Sequence, residues 1–128
     1  MSAWLGRPGL FHVGAAASVR ALALESETSG SAVYLVSSVG SKQELLDTLA
    51  EQLHFPLWAA RNWDAAADLL ADLSWLPPGP VTLLWAEPEV LADADAAAHR
   101  MAVEVLTYAA RVIRSRVLTV LLVHRGPH

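Results

Sequence analysis

The sequence predicts an α/β fold, a three-stranded parallel sheet packed with helices, preceded by an N-terminal extension that offers a further edge strand and helix. Three apolar runs carry the prediction: "SAVYLVSSV" at 31–39, "VTLLW" at 81–85 and "VLTVLLV" at 117–123. Each is short, rich in β-branched residues and bounded by turn formers, as buried strands are. Helical patterns separate them, and strands apolar on both sides belong to parallel sheets covered by helices. The connections are long enough for right-handed crossovers.

The elements follow in order. In residues 1–30, "GLFHV" reads as a candidate edge strand and "AAASVRALALE" as a candidate helix. "SKQELLDTLAEQL" opens on Ser41 with Glu44 three residues on, the pattern of a capping box, and repeats Leu45, Leu49 and Leu53 at helical spacing. His54 and Phe55 end that helix, because the residue before Pro56 avoids helical angles. Asn62 is a favourable N-cap for a second helix with Trp63, Ala66, Leu69, Leu70 and Leu73 on one face. "LPPGP" at 76–80 stops the region. After the middle strand, "AEPEVLADAD" reads as a solvated loop in which Asp93 or Asp95 caps a helix from about Asp95 to Arg114. Arg111, Arg114 and Arg116 then complement the dipole at its end.

Composition bounds the function. The chain has 128 residues, 54% hydrophobic and 17% charged with five Trp, which suits one globular domain and excludes a disordered chain. No apolar run reaches the length of a membrane span. The N-terminal stretch makes a poor signal peptide, so a cytoplasmic location is expected. The absence of cysteine excludes disulfides, a thiol nucleophile and cysteine-based metal sites. Between Glu44 and Glu104 eleven acids face two bases, Arg61 and Arg100, which argues against nucleic acid as a partner.

Within that acidic region, Asp64, Asp68 and Asp72 recur every four residues on the second helix. At 100° per residue they fall within about 80° of one another, opposite the leucines. The helix dipole favours an acid in the first turn, which accounts for Asp64. It does not account for Asp68 and Asp72, since like charges one turn apart repel by a few tenths of a kcal/mol per pair. Two readings stand open, a solvated face and a binding face. A metal site is not expected, because the helix offers no His and no Glu-x-x-His pairing. Trp63 adjoins the leucine face and belongs to the core. Trp58, in the loop just before the helix, is a candidate anchor for a protein partner.

The five histidines (His12, His54, His99, His124, His128) show no metal-ligand spacing, and no nucleophile elbow or phosphate-cradling glycine loop occurs. His54 reads as a dipole partner at a helix end, and His124 and His128 as parts of a terminal tail. No catalytic residue, cofactor site or metal site is expected, and the chain is not expected to be an enzyme.

From Ala32 to Val123 the sequence resembles the barstar-like family of ribonuclease inhibitors. The densest match is "FPLWAARNWDAAADLLADLSWLP": Phe-Pro closing a helix, an aromatic two residues on, then Asn-Trp-Asp-Ala and an acid four residues later. The resemblance implies a barstar-like domain at 31–124 after an extension at 1–30, one globular domain overall. It further implies an intracellular immunity protein, favoured as a monomer, that plugs the active site of a basic ribonuclease-type toxin with its second helix and the loop before it. Asp64 and Asp68 match the family's two binding aspartates, Trp58 its loop aromatic, and Asn62 with Trp63 the pair that opens the helix. Asp72 is a further candidate contact. The sequence departs from the family at Ala59 and Ala60, where many members have Tyr-Gly or Phe-Gly after the loop aromatic, at Ala67, aromatic in the best-known member, and at Ala110, which aligns with a further acid. The alternative reading keeps the fold and gives the acidic face a partner that is not a nuclease.

Overall fold

The computed structural model describes residues 6–14 and 18–125. Strand β1 (Gly9–Val13) leads to helix α1 (Val19–Thr28), β2 (Ala32–Ser37), α2 (Lys42–Gln52), α3 (Trp63–Leu70), β3 (Val81–Ala86), α4 (Glu89–Ala94), α5 (Ala96–Val112) and β4 (Leu118–Val123). The strands form one four-stranded sheet in the order β1-β4-β3-β2, with every pair parallel. The expected α/β architecture is present, with four strands because "GLFHV" pairs along β4, Gly9 against Thr119 through Val13 against Val123.

Alternation along the strands sorts side chains onto two faces. On one, Val36, Leu83, Trp85, Val120 and Leu122 pack against Leu45, Leu49, Leu70, Leu91 and Leu106 in the larger core cluster. Those partners come from α2, α3, α4 and α5. On the other face Val13, Leu84, Leu121 and Val123 pack against Leu22 of α1 in a second cluster. β3 and β4 are buried along their whole length, which is why they read as unbroken apolar runs. Burying each such side chain is worth about 1.5–3 kcal/mol against leaving it in water.

Several expectations needed correction. The helix in the N-terminal stretch begins at Val19, where the Ser18 side chain accepts from the Ala21 amide; its expected first residues, 15–17, lie outside the described residues. "EVLADA" is not a loop but the short helix α4, held by the buried Leu91, and Asp95 rather than Asp93 caps α5 by accepting from the Ala98 amide at 3.0 Å. Arg116 lies beyond α5 and serves a loop instead of the helix dipole. Its guanidinium donates to the carbonyls of Leu76, Pro77 and Gly79 at 3.1, 2.7 and 3.2 Å. His124 is not in a free tail, because it contacts both Glu89 and His12; His128 lies outside the described residues.

Candidate partner-binding site

The loop from α2 to α3 is anchored at its base and free at its tip. Leu53 is fully buried, and His54 takes a left-handed conformation, φ 54°, that ends α2. Phe55 packs edge-on against Trp75 with ring centroids 6.1 Å apart, and Trp75 Nε1 donates to the Leu53 carbonyl at 2.9 Å. A turn follows in which the Ala59 amide donates to the Pro56 carbonyl at 3.0 Å. With Pro56 and Ala59 so joined, the two residues between them project outward: Leu57 is 98% and Trp58 84% exposed. Surfaces of monomers seldom display adjacent large apolar side chains this fully without use.

The chain re-enters a helix at Asn62, whose Oδ1 accepts from the Ala65 amide at 2.8 Å. Ala66 and Leu70 turn inward and are buried, Trp63 and Ala67 are half-buried against the same core, and Asp64 and Asp68 are left on the outer face. Lys42 Nζ lies 5.8 Å from the centre of the Trp63 ring, so the cation adjoining the helix faces an aromatic ring. Arg61, the one base in the stretch, is engaged elsewhere, with Nη1 2.6 Å from Asp47 Oδ1. Among the described residues, no ion pair or hydrogen bond involves the carboxylate of Asp64 or Asp68.

Trp58, Ala59, Ala60, Ala65, Asp68 and Leu69 line a shallow depression of about 220 Å³. The structure therefore brings Trp58 and Asp68 onto one surface, with Asp64 one turn before Asp68 on the same helix. Asp72 requires a correction. α3 ends at Leu70, so Asp72 sits in the turn beyond it and not on a third helical turn. Its side chain accepts from Ser74 Oγ at 3.2 Å and its carbonyl from Ser115 Oγ at 2.7 Å. Leu73 then adopts φ 50°, which no continuing helix allows. The apolar periodicity runs on past the true end because Leu73 is buried from the turn.

Residues 32–124 match the family described as Barstar (barnase inhibitor), 93 of the 128 positions. The chain belongs to the barstar family. No curated protein matches it. The barstar match begins at the first residue of β2, so β1 and α1 lie outside it. Of the departures from the barstar pattern, Ala59 and Ala60 line the depression and leave it lined by methyl groups. Ala67 is half-buried against the core, and Ala110 is buried, so in this barstar-family domain Ala67 offers at most a methyl group to the surface and Ala110 offers nothing. The exposed aromatic nearest Ala110 in sequence is Tyr108, with Arg111 set 6.0 Å over its ring.

Leu57 was missed from sequence. A leucine after a helix-ending Phe-Pro reads equally as core, and only the turn from Pro56 to Ala59 turns it outward. Among the described residues no three His, Asp or Glu side chains group to hold a metal, and no helix is long and apolar enough to cross a membrane.

Proposed function

We propose that this protein is an inhibitor, an immunity protein of the cytoplasm, that as a monomer blocks a basic ribonuclease-type toxin with α3 and the loop before it. The observation that carries the reading is the pair of carboxylates, Asp64 and Asp68, engaged by no cation among the described residues and set beside the exposed Trp58. A ribonuclease cleft holds phosphates with cationic side chains, and carboxylates at helical spacing can take the phosphate positions and accept charge-assisted hydrogen bonds. Trp58 supplies apolar contact area, Asn62 fixes the helix start at the interface, and Asp72 adds charge from the turn beyond. Opposite charge also speeds encounter, an advantage against a toxin that acts before it is bound.

Co-expression with the ribonuclease toxins of the same organism tests this reading. Protection by the intact chain, lost in an Asp64→Ala, Asp68→Ala variant that still folds, supports it, and failure against every such nuclease sinks it. The second reading, a partner that is not a nuclease, draws on the depression at Ala59 and Ala60, where the resemblance leads one to expect an aromatic residue followed by glycine and this chain has a methyl group at each position. Affinity capture with both variants, identifying the bound protein, separates the two.

A further inference from the structure

At the carboxyl ends of the strands, on a different part of the molecule, three side chains from three elements form a chain. Glu89 Oε2 on α4 lies 2.7 Å from His124 Nδ1, just past β4, and His124 Nε2 lies 2.7 Å from His12 Nδ1 on β1. The two imidazole centres are 4.9 Å apart and their planes inclined by 21°. That separation is close to its largest possible value, the nitrogen contact plus one ring radius at each end. The rings therefore meet edge to edge, with each nitrogen's bonding axis aimed at the other, and are not stacked face to face. The spacing fits a shared proton and is too short for a cation set between the two nitrogens.

Proton counting follows. Glu89 Oε2 also accepts from the Arg125 amide at 3.0 Å, so the carboxylate takes N–H groups and His124 Nδ1 must donate to it. His124 Nε2 and His12 Nδ1 then hold one hydrogen between them. If both rings are imidazolium, two N–H groups point at each other and the contact breaks. We propose that His12, His124 and Glu89 form a pH-responsive latch that fastens the N-terminal strand β1 to the edge of β4 and releases it on acidification.

The surroundings favour release. His99 on α5 belongs to the same electrostatic cluster: burial holds its pKa below the ordinary 6.5, with charge on His124 and His12 acting in the same direction, Glu89 opposing them and Arg100 adding to the lowering. Glu87, at the end of β3, is occupied by Ser38 and Arg125, with Oε1 2.7 Å from Ser38 Oγ and Oε2 3.1 Å from Arg125 Nε. Glu89 is thus the carboxylate bonded to the histidine pair, and it cannot neutralise two imidazolium ions. β1 has a single neighbour in the sheet, and its last rung joins the His124 amide to the Val13 carbonyl at 3.0 Å, beside the latch. An opening that takes up one extra proton becomes up to about tenfold more favourable for each pH unit below the ordinary imidazole pKa.

Two measurements on the full chain decide the matter. Hydrogen exchange, corrected for intrinsic rates, is followed at the amides of β1 and at the His124 amide between about pH 7.5 and 5, with the β2 and β3 amides as reference. The latch predicts a loss of protection of about tenfold or more confined to β1 and His124, and a flat profile in a His12→Phe variant. Ring nitrogen NMR of the unaltered protein gives the second readout: two coupled titration steps shared by His12 and His124, with Nδ1 of His124 protonated throughout. Equal pH courses in the two proteins, or independent single-step titration of the two rings, would overturn the proposal.

Discussion

Trp58 and Asp68 line the same depression although one sits in a loop and the other in the second turn of α3. Between them Asn62 ends the loop and starts the helix, so one capping hydrogen bond sets the relation of the aromatic ring to the carboxylate. The surface is built from local features of a short stretch of chain, and each makes a separate prediction.

Replacing Asp64 and Asp68 together by alanine changes folding stability by less than about 1 kcal/mol, because relief of the repulsion one turn apart offsets part of the lost interaction of Asp64 with the helix dipole and no native ion pair is broken. Binding of the cognate partner weakens by about 1.5–3 kcal/mol per lost charge-assisted hydrogen bond. Urea unfolding beside a binding titration measures both. A large loss of stability would show that the carboxylates serve the fold.

Trp58→Ala, at a side chain 84% exposed, changes unfolding free energy by less than about 0.5 kcal/mol. If the residue anchors a partner, the same change costs about 2 kcal/mol or more of binding, nearly independent of salt. Calorimetric titration at two ionic strengths checks this, since the aspartate effect shrinks with salt and the tryptophan effect does not.

Asn62→Ala has the opposite profile. Loss of the bond to the Ala65 amide destabilises the protein by about 1 kcal/mol, and Asn62→Ser restores most of it. Thermal unfolding of the three proteins gives the order expected.

Arg116→Met removes donors from three loop carbonyls at residues 76, 77 and 79 while keeping much of the side-chain volume. A hydrogen bond from a charged group contributes about 1.5–3 kcal/mol, so losing all three is expected to cost at least that much in chemical denaturation. The partner-binding surface is unaffected.

Acid lowers stability in two stages. Burial, with charge on His124 and His12, depresses the pKa of His99, so its contribution is complete above the ordinary 6.5 and is lost as pH falls through the folded value. The carboxyl of Glu87 lies below the ordinary 4.5 because Ser38 and Arg125 donate to it. Burial acts to raise Glu89, but hydrogen bonds from its own backbone amide, His124 and the Arg125 amide outweigh it and leave that carboxyl below 4.5 too. Both depressed carboxylates have the same sign as His99, with stability present above 4.5 and lost below it. The thermal midpoint is therefore level at neutral pH, declines below about 6.5 and declines further below about 4.5. His99→Phe removes the part of the first decline that burial of His99 causes and leaves the part that comes from release of the His12–His124 contact.

Much of this was legible in the sequence where the chemistry is local. Ser41 does accept from the Glu44 amide, at 3.1 Å, and Asn62 caps α3 as its side chain and position require. β3 and β4 could be read because a strand covered on both faces leaves no polar interruption. The errors fall where tertiary packing overrides local pattern. Leu73 kept the helical period beyond the end of α3, and one buried leucine made α4 from a stretch whose acids suggested a loop. The partners of His124 come from Glu89 and from His12 at the other end of the chain, a distance no spacing rule spans.

The pairing of β1 with β4 joins the first strand to the last. During synthesis, β1 leaves the ribosome before β4 and has no sheet neighbour until β4 has followed it. So long a wait makes edge closure a late event, governed by loop entropy over all the elements between β1 and β4. Until β1 docks, Leu84 and Leu121 stay incompletely covered, which makes that interval the time of greatest exposure to proteolysis and aggregation.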